Sequence, residues 1–189
     1  MRRTATILTV THEEVSKKYG HTQCVAAVDV NTKELIRIYP ITPEMVQKHN
    51  IHRGAVIAFD ESKRPNTDKR VESIKIDMDS VKYVTEIHKG FIPRYAEEHL
   101  VGCSTIKTFR PFKRPDPSFY LQQVRDVRPR TKKGVPYWFY KCQEPGCKGH
   151  MRKCLDSERQ DLKDGDYIIL GRHSQEFLSG AMLVGVLGK

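Results

Sequence analysis

The chain has 189 residues, a formal net charge of +10 at pH 7 and a sequence pI near 9.4. Hydrophobic residues make up 38% of it and charged residues 30%, which is typical of a folded globular protein and excludes a largely disordered one. The sequence contains no apolar run of about 18 residues and no cleavable signal pattern at its N-terminus. We therefore expect a cytoplasmic protein that does not contact a membrane.

Short β-prone segments alternate with turn residues over the first 80 positions. Proline at position 40 is expected to end a strand, because proline cannot donate a hydrogen bond to a ladder. The pattern of about five strands and one short helix predicts a small antiparallel barrel, and several types of small β-barrel fit it equally well. The predicted elements are strands at 4–10, 24–30, 34–38, 54–59 and 71–78, the second and third forming a hairpin, and a helix at 43–49.

The second half repeats this β character after a mixed connection. The connection contains a helix-prone segment at 94–100 and a proline-rich run at 110–117. Strands are predicted at 119–127, 137–142, 166–170 and 181–187, and a helix at 155–162. The fold class is therefore mostly β (all-β to α+β), with two small barrels and a few short helices. We expect a β domain over 1–90, a connection over 91–117 and a second β domain over 118–189.

A cluster of cysteine and histidine residues lies in the second half. Cys142, Cys147, His150 and Cys154 have the spacing C-x4-C-x2-H-x3-C, with Pro and Gly between them to turn the backbone. Thiolate and imidazole groups in short loops are the usual ligands of structural zinc, so these four residues are predicted to bind one zinc ion. If Cys154 instead points into a core, the fourth ligand is Cys103, His173 or water. The alternative interpretation is that the cysteines are small buried hydrophobic residues.

A catalytic zinc is the second hypothesis for the same cluster. Asp156 and Glu158 follow it and are the candidate general acid or base, although carboxylates are also favoured in the first turn of a helix. The chain lacks the paired H-x-E and P-C-x-x-C segments of the zinc deaminases. An enzyme is thus not predicted, and no residue is assigned a catalytic role.

Basic residues are concentrated between positions 107 and 133. This segment contains nine Lys and Arg residues and only two Asp residues, so it supplies +7 of the net charge of +10. Such a concentration favours contact with the phosphates of nucleic acid, whereas a merely solvated face is the alternative. Aromatic side chains beside it would stack on bases. The predicted nucleic-acid-binding residues are Arg37, Lys107, Arg110, Lys113, Arg114, Arg125, Arg128, Arg130, Lys132, Lys133, Trp138 and Tyr140.

Several segments together resemble a known group of prokaryotic and phage proteins. They are CVAAVDVNTKELIRIYPI, GAVIAFDES and KRPNTDKRVESIKI in the first half, and FYKCQEPGCKGHMRKCLDSE and YIILGRHSQEFLSGAMLVGVL in the second. The chain is similar to the dual-OB-domain proteins predicted to act in nucleic-acid modification and defence systems. Ser157 replaces a tryptophan of that group's pattern, and Val71-Glu72-Ser73 replaces its Arg-Pro-Glu-Ser.

The resemblance implies two OB-like barrels and recognition of nucleic acid or nucleotides, without supplying a reaction. Our first hypothesis is a protein that binds nucleic acid, either DNA or RNA, and that contains a structural zinc site. The alternatives are a metal-dependent nucleic-acid-processing enzyme and an interaction or sensor subunit that docks on a protein partner.

Overall fold

The computed structural model describes residues 1–16, 19–63, 70–88, 90–106, 118–159, 161–172 and 181–188, and the first half of the chain forms one curled sheet. Its β-branched segments pair, and polar turns join them. The strands are β1 Arg2–Val10, β2 Glu14–Ser16, β3 Gly20–Asp29, β4 Leu35–Ile41, β5 Ala55–Asp60, β6 Ser73–Lys75 and β7 Lys82–Glu86. The helices are α1 Pro43–Lys48, capped by the Thr42 side chain, and α2 Phe91–Glu98.

Backbone pairing closes this first sheet into a barrel. The strands follow the order β6-β4-β3-β1-β5, with β4 and β6 parallel. A bridge between Glu61 and Ile76 joins the ends, supported by a bond from Asp77 N to Asp60 O of 2.9 Å. Ile7 and Phe59 are fully buried in the interior. The first half is therefore a five-stranded barrel to which β2 and β7 are added.

The second half builds a barrel whose strands follow one another around the closed ring in the same order as those of the first. Its strands are β8 Phe119–Lys132, β9 Val135–Cys142, β10 His150–Arg152, β11 Tyr167–Arg172 and β12 Ala181–Gly188, in the order β10-β9-β8-β11-β12. A parallel bridge from Cys154 to Leu183 and a bond from Leu155 N to Leu183 O of 2.8 Å close it. Each barrel thus has five strands, of which the third and fifth are parallel. This is the arrangement of the OB barrel, and it confirms the mostly β fold class.

An apolar layer joins the two barrels. Leu8 of the first barrel and Ile169 of the second are both fully buried in it, together with Ala96 of α2. Strands β1 and β12 approach so closely that a Cβ on Gly185 would lie 2.8 Å from Thr9. Because Ile168 and Leu170 point instead into the second barrel, β11 is buried on both faces, as its continuous apolar run predicts.

Most of the predicted strands are confirmed, with ends shifted by a few residues, but two details are wrong. Pro40 does not end its strand, since β4 continues to Ile41; the pairing with β3 is irregular there, so no ladder donor is lost. The helix predicted at 155–162 does not form in the described residues of that range, because the backbone around Leu155 and Asp156 pairs with Leu183 and Thr11. No described helix is long and apolar enough to cross a membrane.

Candidate metal centre and nucleic-acid interface

Three of the four predicted metal ligands lie together, and Cys103 completes the group. The ligand atoms of Cys103, Cys142, Cys147 and His150 all lie within 4.8 Å of one another, and the Cys147 Sγ to His150 Nε2 distance is 3.3 Å. Three thiolates and one imidazole at such distances match a tetrahedral structural zinc site. The described residues therefore fit a metal ion of this class.

The turn between β9 and β10 presents three of these side chains. Cys142 is the last residue of β9, and His150 is the first of β10. Between them, Gly149 has a φ of 102°, and the Phe139 ring would lie 2.3 Å from a Cβ at that position. The positive φ favours glycine at this position, and a larger residue would also displace the ring, so the Phe139 side chain packs directly against the metal loop.

Cys103 reaches the cluster from the connection that precedes the second barrel, where it begins a short 3-10 helix. The Glu144 carboxylate accepts a hydrogen bond of 2.8 Å from Ser104 N, and Gln143 Nε2 donates to Val101 O at 2.9 Å. Side chains from the metal loop thus hold the Cys103 segment in place. A bound ion would join the connection to the β9–β10 turn.

Burial and hydrogen bonding shift the pKa values of the cluster residues in different directions. Burial raises the pKa of the Cys103 thiol to about 12, and hydrogen bonding to Cys142 adds to the rise. Burial alone would raise the pKa of Cys147, but hydrogen bonds with the backbone of Cys142 and Gly149 lower it. Burial also lowers the pKa of His150, which favours the neutral imidazole that metals require.

Cys154 lies apart from this group, and we correct its assignment as a ligand. Its side chain is buried in the interior of the second barrel, where Sγ donates to Arg159 O at 3.7 Å. Burial raises the pKa of this thiol to about 11, as expected for a thiol in apolar surroundings. Cys103 takes the fourth position, while His173, the other protein candidate for it, lies outside the described residues.

Asp156 and Glu158, the candidate acids of the enzyme hypothesis, join the two barrels instead. Asp156 is fully buried and accepts hydrogen bonds from Arg53 Nη2 at 2.5 Å and from Val186 N at 2.7 Å. Glu158 Oε1 accepts from Arg53 N at 2.8 Å. Both carboxylates therefore hold Arg53 of the first barrel, and neither belongs to the cysteine and histidine group.

The predicted basic residues of β8 share one face of a hairpin. Strands β8 and β9 pair as far as Lys132 and Val135, and Lys133 and Gly134 form the turn, both with positive φ. Arg128 lies opposite Phe139, and Arg130 lies opposite Tyr137. We call the outward side of this ribbon the hairpin surface; its members are Arg125, Arg128, Arg130, Lys132, Tyr137, Phe139 and Lys141.

A β-bulge brings Arg125 onto that surface. Simple alternation would place residues 125 and 128 on opposite faces of a strand. The pairing register shifts between them, and Asp126 has a φ of 53°. Asp126 forms an ion pair of 2.8 Å with Lys141, and the Arg125 Nε donates to Cys142 O at 3.1 Å. The bulge therefore unites the basic residues next to the metal loop.

The aromatic side chains of β9 that face outward are not the ones that the sequence predicted. Tyr140 is fully buried and Trp138 packs against the interior of the second barrel. We therefore correct the assignment of Tyr140 as a stacking residue, because its ring has no accessible face. Tyr137 and Phe139 occupy the hairpin surface instead. Alternation along the strand separates the two pairs, but it does not say which pair faces outward.

Arg37 is also placed inside the molecule. Only 3% of it is exposed, and its guanidinium lies 3.9 Å above the Phe119 ring and donates to Ser118 Oγ at 3.2 Å. It therefore joins the barrels, and we correct its assignment as a nucleic-acid contact. Lys107, Arg110, Lys113 and Arg114 lie outside the described residues.

Comparisons with known proteins give one family and several similar structures. Residues 1–95, just over half of the chain, match the family model described as "Domain of unknown function (DUF8758)". A search of curated proteins gives no match.

Three solved structures illustrate the similarity to known folds. The Ifi202 HINa domain in complex with 20 bp dsDNA is 14% identical, with a TM-score of 0.44 and coverage of 97% of this chain and 90% of that chain. A murine DNA-binding protein bound to dsDNA is 12% identical, with a TM-score of 0.41 and coverage of 96% and 89%. The tetrameric p202 HIN2 is 15% identical, with a TM-score of 0.43 and coverage of 97% and 89%.

Proposed function

The chain belongs to the DUF8758 family, and we propose that it binds nucleic acid through the hairpin surface of its second barrel. The observation that carries this proposal is the row of Arg128, Arg130 and Lys132 on one side of β8. All three side chains are exposed, and consecutive members of the row lie about 7 Å apart along the strand. Such a row matches the repeated negative charges of a phosphate backbone.

Aromatic side chains beside the basic row support the same function. Tyr137 and Phe139 are partly exposed and lie directly opposite Arg130 and Arg128. Base stacking on an aromatic side chain contributes about 1–3 kcal/mol per base, and it is combined with positive charge in proteins that bind single strands. The hairpin also corresponds to the first loop of an OB barrel, a usual ligand-binding element of that fold.

We further propose that one zinc ion at Cys103, Cys142, Cys147 and His150 has a structural role. Four protein ligands would complete a tetrahedral shell and leave no position for a substrate or an activated water. Because the Phe139 ring covers the metal loop at Gly149, an ordered loop would also fix that ring. The ion would thus hold the hairpin surface in its binding conformation.

The metal-dependent enzyme is less well supported. A general acid or base must reach a proton of the substrate. Asp156 is fully buried and its carboxylate already accepts hydrogen bonds from Arg53 and Val186. A cytoplasmic location, a protein partner, and a place in a modification or defence system stay predictions.

Double variants that each remove two positive charges test the proposal. We expect Arg128→Gln with Arg130→Gln to weaken binding to a labelled oligonucleotide about tenfold or more at low salt, because two phosphate contacts are lost. The matched control is Lys48→Gln with Lys82→Gln, two exposed lysines of the first half. Fluorescence anisotropy with single-stranded and duplex DNA and RNA measures the effect. Equal weakening by both pairs would show that only the net charge matters.

A further inference from the structure

A cavity of about 490 Å³ lies beside the metal cluster at one end of the second barrel. Ile106 and Leu170 form apolar walls, while Gln122, His150 and Arg152 contribute polar groups. The described lining includes no carboxylate, and Arg152 is its one side chain with a permanent charge. The volume falls within the range of small-molecule pockets, which is about 300–1,000 Å³.

Buried polar atoms around this cavity have unused hydrogen-bonding capacity. Within the described part of the chain, Gln122 Oε1, Arg152 Nε and the Tyr140 hydroxyl have no hydrogen-bond partner. Gln122 and Tyr140 are both 0% exposed, so bulk water does not satisfy them. An unsatisfied buried polar group costs about 1–3 kcal/mol, and the two in the cavity lining, on Gln122 and Arg152, therefore point to a ligand.

The orientation of the Gln122 amide follows from its other contact. Its Nε2 donates to Val101 O at 3.3 Å, and a carbonyl oxygen can only accept. The amide oxygen is therefore the atom left for the cavity. Arg152 Nε–H is a donor, and its charge acts on the nearby Tyr140 hydroxyl, whose pKa burial raises. A ligand must supply one donor for Gln122 and one acceptor for Arg152.

We propose that this cavity binds an unpaired nucleobase with a lactam group, namely thymine, uracil or guanine. A lactam presents a carbonyl oxygen beside a ring N–H. The oxygen would accept from Arg152 and the N–H would donate to Gln122. Adenine and cytosine could satisfy both groups only in the reversed orientation, with the amino group on Gln122 and a ring nitrogen, which is a weaker acceptor than a lactam oxygen, on the charged Arg152. This proposal rests on the proposed nucleic-acid binding.

The hairpin surface adjoins the cavity at Met151. Met151 lines the cavity, is 39% exposed and pairs with Phe139 of the hairpin surface. Arg128 lies opposite Phe139 on its other side. A strand whose phosphates contact Arg128 would therefore pass Met151, and one unstacked base could enter the cavity. Unstacking costs a few kcal/mol, which is least for a base that is already unpaired.

Binding of oligonucleotides that differ only in their bases tests the proposal on the full chain with its metal. We expect oligo-dT to bind several-fold more tightly than oligo-dA, because adenine can offer Arg152 only a ring nitrogen, which is a weaker acceptor than the lactam oxygen of thymine. Arg152→Met and Gln122→Met should each reduce this preference to about one. Lys153→Met removes the neighbouring exposed charge and should weaken both oligonucleotides while keeping the preference. Thermal unfolding checks that every variant is folded.

Free nucleosides separate the cavity from the hairpin surface. We expect thymidine to shift the NMR signal of the Arg152 Nε–H group at lower concentration than adenosine. Equal affinity for oligo-dT and oligo-dA without a thymidine shift would overturn the cavity and leave the hairpin proposal intact. Failure of both oligonucleotides to bind, with the thymidine shift present, would overturn the hairpin proposal and support the cavity. A preference retained in both Arg152→Met and Gln122→Met would contradict the assignment of these residues.

Discussion

The two barrels have the same strand order but are completed by different means. In the first barrel, helix α1 follows the third strand, and Met45 from it is buried against the apolar core. In the second barrel no helix is formed by the described residues between β10 and β11, and the Cys154 segment closes the sheet instead. The second barrel also carries the metal cluster and the long β8–β9 hairpin.

The two barrels also differ in the polar and metal-binding residues that they contain. The core around Ile7 and Phe59 is built from apolar side chains. The interior of the second barrel includes the thiol of Cys154 and the polar Gln122, and its cysteine and histidine cluster lies at the end of the hairpin surface. Under the proposed function, the second barrel is the one that contacts nucleic acid.

Metal removal should produce the largest difference between the barrels. We expect about one zinc ion per chain by elemental analysis, lost in Cys103→Ser and in Cys147→Ser. Cys154→Ser is the control that should retain the ion, because Cys154 lies outside the cluster. Structural zinc contributes about 10–16 kcal/mol of binding free energy in small domains. Hydrogen exchange should therefore rise steeply in β9 and β10 of the zinc-free variants and stay unchanged in β1 and β3.

The zinc content of the cysteine variants shows whether Cys103 or Cys154 is the fourth ligand. Zinc retained in Cys103→Ser but lost in Cys154→Ser would restore the assignment made from the sequence spacing. Absence of metal from the wild-type protein would contradict the zinc site altogether.

The link between the barrels should give the next largest effect. In Asp156→Asn the Arg53 guanidinium loses its charged partner, and breaking a buried pair in this way costs about 3–5 kcal/mol. Urea unfolding measures this loss. Asp161→Asn, which removes an exposed partner of Arg159, should change stability by less than about 1 kcal/mol. Equal effects would contradict the role of Asp156 as the joint between barrels.

A smaller, pH-dependent effect is expected in the first barrel. Burial alone would raise the pKa of Asp29, but hydrogen bonds from the backbone N–H groups of Thr32 and Asn31 and from Arg3 lower it overall. A lowered folded-state pKa stabilises the fold above the unfolded value of about 3.8, and this contribution is lost as pH falls through the folded value. Asp29→Asn should thus cost about 1–3 kcal/mol at pH 7.

Urea unfolding across the acid range checks this sign. The stability difference between wild type and Asp29→Asn should shrink as the pH falls below about 4. A difference that is constant from pH 7 to pH 2, or that grows on acidification, would contradict the account of Asp29.

Local patterns predicted the strands well and the contacts between distant segments poorly. β-branched and apolar runs such as that of β11 predicted strands because pairing and burial favour the same residues. The spacing of Cys142, Cys147 and His150 likewise predicted a shared site. Cys103 lies 39 positions before Cys142, so no spacing pattern favours it over Cys154. Only the fold brings it to the cluster.

The bulge at Asp126 illustrates the same limit at the hairpin surface. Period-two alternation cannot show that residues 125 and 128 share a face, because one extra residue reverses the order of the faces after it. The 155–162 segment has helical composition, but its pairing with Leu183 and Thr11 outweighs that preference. The charge concentration itself was evident from the sequence.

The salt dependence of nucleic-acid binding tests the central claim most directly. The logarithm of the binding constant falls linearly with the logarithm of salt concentration, by about 0.9 per phosphate contact for duplex DNA. We expect Arg128→Gln with Arg130→Gln to reduce this slope by about two, and Lys48→Gln with Lys82→Gln to leave it unchanged. A slope equal to that of the wild type in the hairpin variant, or no salt dependence in the wild type, would contradict binding through the hairpin surface.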